Sequence, residues 1–589
     1  MSVGSLAVNR LPRSVVDPEL SRAVSGDFQL ELSVTEGLPR VVKRSRAPDA
    51  VTAGGGQLYW CGELHDTVSL CQQLKLPCDA EAPAIAIAAL ERKGREAFRQ
   101  LRGRWALAWL DPDGTVLLAR DPMGGEALFW ADLPSGYLVA TQWEGLFADP
   151  RWDRSEDYEN TAAFFSVFLS PTAGGTFQQG LHLLPPGAVA RLERHTVKCQ
   201  RYWDPLSGTC WVGSEADAQK EYRHRLKQSI EAAVHSAKSP AILLSSGLDS
   251  GSIAAMASHC AQPLRALSWS IESVPEVDES HWIKALASKL RLPLEVVAVD
   301  GIWPLHPIEN HRPADLGPLS PPFGGLRNPL YHRASEGGSD VVLTGDGGDA
   351  LFAGSESWLL SLALTGQWPA AFRGIRSVHQ SGRLRNTLTN QIKATVPESI
   401  KRLRPVKPPP WLTDEAQSLL CHRFDELRVY GSHRRLSAMT SGWADLQEVA
   451  LAPRLARIGL RIRHPLRDQR MAEFMLRLPP HWLHQPGESK RLLRRAMYGA
   501  LPESDRTAPR RGSLFPLARR FLTNSLDVVR STLHSNQSQW QRWVRSDWMD
   551  AALLDLPKIN RDGPEWLVVW NCVAYELWKQ REPDSALRH

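Results

Sequence analysis

The sequence predicts an α/β protein in two parts. An antiparallel β-sandwich is expected over residues 1–208, and a parallel-sheet α/β unit with a helical C-terminal region over residues 209–589. Three observations carry this. Short apolar runs separated by turn residues fill the first part, as in stacked antiparallel sheets. After Ser214 such runs alternate with segments of helical period, the pattern of a parallel sheet. Two of those later runs end in glycine turns rich in hydroxyl and carboxylate side chains.

In the first part, Leu101–Asp111 and Gly114–Asp121 read as two strands joined by a Pro-Asp-Gly turn. Phe129-Trp130 and Tyr137–Thr141 continue the pattern, and Leu184–Gly187 turns into the strand Ala188–Leu192. Trp203–Gly213 reads as a linker. Beyond it, Ala216, Tyr222, Leu226, Ile230 and Val234 repeat at helical spacing. The parallel strands are then expected at Ala241–Leu244, Ala266–Trp269, Leu294–Val299 and Val341–Leu343. From Ser437 onward the chain reads as helical throughout.

The first glycine turn, Ser245-Ser246-Gly247-Leu248-Asp249-Ser250, follows the strand Ala241–Leu244 and opens a helix. Backbone N–H groups at such a helix start, together with serine hydroxyls, can converge on one polyanion. The second, Thr344-Gly345-Asp346-Gly347-Gly348-Asp349, carries two carboxylates suited to Mg²⁺. Either segment alone reads more readily as an ordinary turn or a solvated loop. The pair, at the carboxyl ends of parallel strands, describes a site for cutting ATP, because ligands of open α/β sheets bind at that edge.

Bulk properties narrow the classes. A net charge of +6 over 589 residues, with no continuous Lys/Arg run, argues against a dedicated nucleic-acid binder. The first ten residues lack the charge order and apolar block of a signal peptide, and no apolar run is long enough to cross a bilayer, so a cytoplasmic location is expected. The eight cysteines form no CxxC pair and are expected to be reduced and mostly buried. Nine basic residues against one acid between Phe372 and Lys407 suit a solvated helical face or a docking surface for an acidic partner.

Several blocks resemble the asparagine synthetase superfamily. Leu101, Gly103, Trp105, Ala106–Ala108, Ala119-Arg120-Asp121 and Gly124 resemble its glutaminase domain, and Leu184–Gly187 with Arg201–Asp204 resemble that domain's end. Ser245–Ser250, Leu343–Gly354, the block of Arg463, Pro465, Leu466 and Asp468, and Ala508–Gly512 resemble the ATP-pyrophosphatase synthetase domain. The resemblance implies an Ntn-type glutaminase-like fold followed by a synthetase that forms an amide through an acyl-adenylate, with ATP and Mg²⁺.

The departures concern the first domain. Family glutaminases carry a cysteine directly after the initiator methionine, where this chain has Ser2. The oxyanion asparagine corresponds to Cys61 and the substrate-binding aspartate to Gln100. An inactive glutaminase is therefore expected, Cys61 being a poor relocated nucleophile because the chemistry uses a free N-terminal amine. A synthetase half without glutamine-derived ammonia suits two branches, β-lactam synthetases and lasso peptide cyclases. The β-lactam branch carries a tyrosine in the second glycine block, where this chain has Asp346, and is usually shorter, so the resemblance favours a lasso peptide macrolactam synthetase. The implied partners are a precursor peptide and the leader peptidase and leader-binding protein of its pathway.

Within that resemblance Leu243, Ser245, Ser246, Gly247, Leu248, Asp249, Ser250, Gly345 and Gly347 would hold the nucleotide phosphates, with Ser268 beside adenine. Asp249 and Asp349 would ligate the metal. Asp346 would accept the amine proton or orient the amine. Arg510 takes the place of the family's late lysine, with Lys490 as an alternative cation or a structural lysine. A peptide-sized cleft is expected between the two domains.

Overall fold

The structure is a computed structural model that describes residues 27–580 except 36–37, 53–54, 112, 194–195, 207, 261–262, 301, 303–315, 320–323, 354–357, 381–406, 425, 427–430, 487, 510–514 and 557–563. Two antiparallel sheets come first. One has the order β2-β1-β8-β7-β9, from β1 (Gln29–Thr35), β2 (Leu38–Arg44), β7 (Phe129–Leu133), β8 (Gly136–Ala140) and β9 (Leu181–Leu183). The other runs β11-β10-β6-β5-β4-β3, from β3 (Ala50–Val51), β4 (Gln57–Leu64), β5 (Gly103–Leu110), β6 (Val116–Arg120), β10 (Ala188–Leu192) and β11 (Val197–Arg201).

Period-two alternation explains how the sheets are covered. On β5, Ala106 and Ala108 join Leu30, Tyr59 and Val139 in the core between the sheets. Trp105, Leu107 and Trp109 point the other way, into a core shared with Tyr222, Leu226 and Met471 from the second half of the chain. Because both faces are buried, the strand reads as a continuous apolar run rather than an alternating one.

The third sheet is parallel throughout, in the order β14-β13-β12-β15-β16, from β12 (Pro240–Leu243), β13 (Arg265–Ser270), β14 (Leu294–Ala298), β15 (Val341–Leu343) and β16 (Arg461–Arg463). The order reverses between β12 and β15, and both glycine turns leave the sheet there. Helices that matter for the site are α1 (Tyr158–Ser166), α2 (Glu215–Val234), α3 (Leu248–Cys260), α4 (Gly324–Glu336), α5 (Gly348–Phe352), α6 (Gly442–Ala456), α7 (Gln469–Leu476), α8 (Arg491–Ala496) and α9 (Glu565–Lys579). The helix expected after Ser214 is α2. Its first turn is closed by a reciprocal cap in which the Ser214 hydroxyl accepts from Asp217 N–H and Asp217 accepts from Ser214 N–H.

Two sequence expectations need correction. The C-terminal part is not helical throughout, because β16 extends the parallel sheet. The cysteines are free, but Cys78, Cys199, Cys210 and Cys421 are exposed, Cys199 on β11, whose residues 198–201 are all exposed, and Cys421 at the C-terminal end of the helix Asp414–Leu420. The expected linker is tied to the second half: the Trp203 indole donates to Glu473 at 3.0 Å, and Trp211 packs edge-on against Phe474. Of the basic segment, residues 372–380 lie in the helix Trp368–Gln380, and residues 381–406 fall outside the described residues. No described helix is long and apolar enough to cross a membrane.

The two halves share more than a seam. Arg120 on β6 makes a two-pronged ion pair with Asp445 on α6, at 2.7 and 2.8 Å, and donates as well to the carbonyls of Leu184, Gly124 and Glu126. Side-chain exposures of 0% and 4% put this pair wholly out of water. At the far end of the chain, α9 packs on α1, with Tyr575 and Trp578 against Phe165 and Phe177.

Candidate active site

Parallel pairing sets Ile242 on β12 beside Leu343 on β15, so the chain leaves both strands at the same edge and the two glycine turns meet. Their approach is as close as backbone allows. A Cβ on Gly345 would fall 2.8 Å from Ser250 N, and one on Gly348 would fall 2.2 Å from Asp249 Cγ. Gly347 adopts φ +93°, the left-handed conformation that glycine takes without strain.

The serine loop is held mainly by itself. Ser250 Oγ accepts from Ser245 N–H at 3.1 Å and lies 2.8 Å from Ser245 Oγ, which in turn accepts from Gly247 N–H. Ser246 N–H donates to Glu279 at 3.3 Å. The expectation that all the serine hydroxyls point at one anion is thus corrected: those of Ser245 and Ser250 shape the turn. Ser246 Oγ and Asp249 Oδ1 are buried without a hydrogen-bond partner, and both line the cavity. Leu243, Leu248 and the buried Ser268 line it as well.

Lys490 reaches both expected metal ligands, Asp249 Oδ2 at 2.5 Å and Asp349 Oδ1 at 2.6 Å. Burial raises the Asp249 carboxyl above its usual range even with the ammonium alongside. The two acids in turn raise Lys490 against the opposing effect of its own burial. Lys490 caps α8 at φ +52°, a left-handed conformation rare for a side-chain-bearing residue. Arg510 lies outside the described residues.

Asp346 accepts both prongs of the Arg327 guanidinium, at 2.7 and 3.0 Å. Burial alone would raise its carboxyl, yet Arg327 brings it down to about 2. A carboxylate so strongly stabilised is a weak base, so of the two roles the resemblance implies for Asp346, orienting the amine suits it better than accepting the amine proton. Arg327 belongs to α4 and was not singled out from sequence.

Two further residues were missed. His464 Nδ1 lies 2.7 Å from Thr344 Oγ1, and its Nε2 lies 3.3 Å from Glu448 on α6. Glu448 also accepts from Arg467. Burial would push Glu448 up, but Arg467 and then His464 hold it well below the ordinary carboxylate range. His464 sits inside the recognisable Arg463–Asp468 block, so its position was a usable signal. Glu448 had none.

At the opposite end of the site Cys61 is fully buried, its Sγ 3.6 Å from Asp27 Oδ1. Burial, with Glu126 and Asp27 nearby, raises the thiol well above its ordinary range, so it is held neutral. A neutral thiol is a poor nucleophile. Gln100 is exposed and bound by Lys93 at 2.5 Å. Ser2 lies outside the described residues. One cavity of about 1380 Å³ joins this end, with Asp27, Cys61 and Glu126, to Asp249, Asp346 and Lys490.

Comparison with known proteins agrees with this architecture. Residues 221–580 match the asparagine synthase family and residues 44–203 the glutamine amidotransferase domain, and the chain belongs to the asparagine synthase family. The amidase chyE of Penicillium rubens is 25% identical over 54% of this chain and 51% of its own length. The carboxyethyl-arginine beta-lactam-synthase of Streptomyces clavuligerus is 25% identical over 54% of this chain and 58% of its own. Asparagine synthetase [glutamine-hydrolyzing] 1 of Bacillus subtilis is 22% identical over 89% and 85%. The chain thus spans about half the length of the first two relatives.

Proposed function

We propose that this protein is an ATP-dependent, AMP- and pyrophosphate-forming ligase that closes a macrolactam ring on a precursor peptide, as a lasso peptide cyclase does. A side-chain carboxylate of Asp or Glu in the peptide attacks the α-phosphorus of ATP, and the peptide's own N-terminal amine then displaces AMP. The observation that carries the reading is the single cavity of about 1380 Å³ walled by both halves, with no reactive thiol among the described residues of its N-terminal end. A site for aspartate and ammonia needs far less room, and a working glutaminase needs an ionisable thiol.

The residues present fit magnesium and nucleotide. Ser246 Oγ and Asp249 Oδ1 are orphaned inside the cavity, and the paired glycines leave no Cβ between the two loops. Among the described residues no cluster of three or more His, Cys, Asp or Glu could hold a metal alone. Asp249 and Asp349 would therefore share Mg²⁺ with phosphate oxygens. When bound, the metal supplies neutralisation of the charge gathering on the departing pyrophosphate. Lys490 adds a fixed positive charge at the same place, and Asp346, fully ionised beside Arg327, gives a cationic amine a seat.

The beta-lactam-synthase relative favours a second reading, intramolecular amide closure on a small amino acid. A substrate panel separates the readings by mass spectrometry. A core peptide with a free N-terminus and an internal Asp or Glu is expected to lose one water with ATP and Mg²⁺ and to release AMP. N-terminal acetylation should block closure, and amidation of the acceptor should block both steps. Closure of a small β-amino acid, or asparagine from aspartate and ammonium, with every peptide left unchanged would overturn the assignment.

A further inference from the structure

We infer that His464 is the base that takes the proton from the attacking amine, with Glu448 holding its ring and Asp346 receiving the amine beside it. The inference rests on the amide-forming reading above and assigns a residue to its second step.

The sheet brings the group to the site. β16 pairs with β15 so that Arg463 stands beside Leu343, and Thr344 N–H extends the ladder to the Arg463 carbonyl at 3.1 Å. The next residue along, His464, therefore leaves the sheet at the same edge as the second glycine turn. Pro465 follows it and disfavours a helical backbone at His464, which keeps that residue at the strand end. Its imidazole lines the cavity with only 8% of the side chain exposed.

The ring is held from two sides. Glu448, ionised under the influence of Arg467, stands at Nε2 and fixes that nitrogen as the one carrying hydrogen. Nδ1 then carries the lone pair and accepts from the Thr344 hydroxyl at 2.7 Å, with Asp346 Oδ2 3.9 Å away. The charged groups facing the imidazole are thus Asp346 from the second glycine turn, Glu448 from α6 and Arg467 from its own segment, with Arg327 of α4 behind Asp346. Asp346 cannot take the amine proton itself, because its bidentate pair with Arg327 leaves it little affinity for a proton.

An N-terminal amine is largely an ammonium at neutral pH, its ordinary pKa being about 7.7–8.0. It must lose a proton to expose a lone pair and shed another as the amide forms. In the step assigned here the nitrogen lone pair forms the bond to the acyl carbon. The bond from that carbon to the adenylate oxygen breaks with its electrons leaving on AMP. The proton that the ammonium gives up to expose this lone pair passes to Nδ1 of His464, and the second proton, shed by nitrogen as the amide forms, passes to water.

Hydroxylamine separates this role from a structural one, since it is unprotonated at neutral pH and needs no base to expose its lone pair. With full-length protein, core peptide, ATP and Mg²⁺, His464→Ala is expected to lose ring closure by about 10²–10⁴-fold, the range for a general base. Formation of the peptide hydroxamate with hydroxylamine should persist at near wild-type rate, and added imidazole should restore part of the closure. Glu448→Gln should slow closure less and likewise spare the hydroxamate. Loss of hydroxamate in parallel with closure, or unimpaired closure by His464→Ala, would overturn the assignment. Absence of any peptide hydroxamate from the wild-type protein would overturn the substrate reading itself, and this assignment with it.

Discussion

Lys490 shows how a single residue can be placed against its own backbone preference. A side-chain-bearing residue in the left-handed region costs about 1–2 kcal/mol, and glycine would relieve it. The turn at φ +52° instead delivers the ammonium between Asp249 and Asp349. Strain of this kind is kept where it positions a working group. Lys490→Gly is expected to leave thermal stability nearly unchanged, relaxed backbone offsetting the lost ion pairs, while AMP and pyrophosphate release falls about 10²–10³-fold. Unfolding in step with the loss of activity would make the lysine structural. The sequence placed Asp249, Asp346 and Asp349 at the site because an apolar run followed by a glycine turn is a local signal. Arg327, Glu448 and the approach of Lys490 to those acids were not legible, because each meets the site only through tertiary packing from a distant helix or turn.

At the scale of elements, the site is two loops kept in contact by the absence of side chains. Gly348 lies in the first turn of α5, and a methyl there would overlap the Asp249 carboxylate carbon. Gly348→Ala is expected to destabilise the fold by only about 1–3 kcal/mol, the usual range for overpacking. It should nonetheless weaken nucleotide binding strongly, because the loops must part and carry Asp249 away from Asp349. Calorimetric titration with Mg·ATP checks this, and wild-type affinity would show that the loops need not touch. The strands β12–β15 were legible from their apolar runs. β16 was not, since Arg461-Ile462-Arg463 offers one apolar residue and owes its strand conformation to the hydrogen-bonding edge of β15. The block at its end, Arg463 to Asp468, marked a resemblance to the family without revealing that a strand leads into it.

At the scale of the molecule, the cavity exists only while the two halves stay together, and the Arg120–Asp445 pair is the most deeply buried charge contact described between them. Replacing one member strands the other charge, which typically costs 3–5 kcal/mol, whereas replacing both by apolar residues of similar size can be nearly neutral. Arg120→Met is therefore expected to lose about 3–5 kcal/mol in urea denaturation, with Arg120→Met/Asp445→Leu recovering most of it. Equal loss in the single and double variants would place the contribution of Arg120 in its carbonyl contacts instead. The α/β class and its order along the chain were readable from sequence. The shared cores were not, because aromatic residues such as Trp105 and Tyr575 announce burial without naming the partner that buries them.

The packing of α9 on α1 also has a temporal side. Phe164, Phe165 and Phe177 leave the ribosome early, and the Tyr575 and Trp578 side chains that cover them are made some four hundred residues later. At ordinary elongation rates that interval lasts roughly 20–80 s. Trp443, which packs on Phe164 and Phe177, is made on the way, but the cover over Phe165 is completed only with the last helix, so the nascent chain exposes part of an aromatic face until its final turns are synthesised.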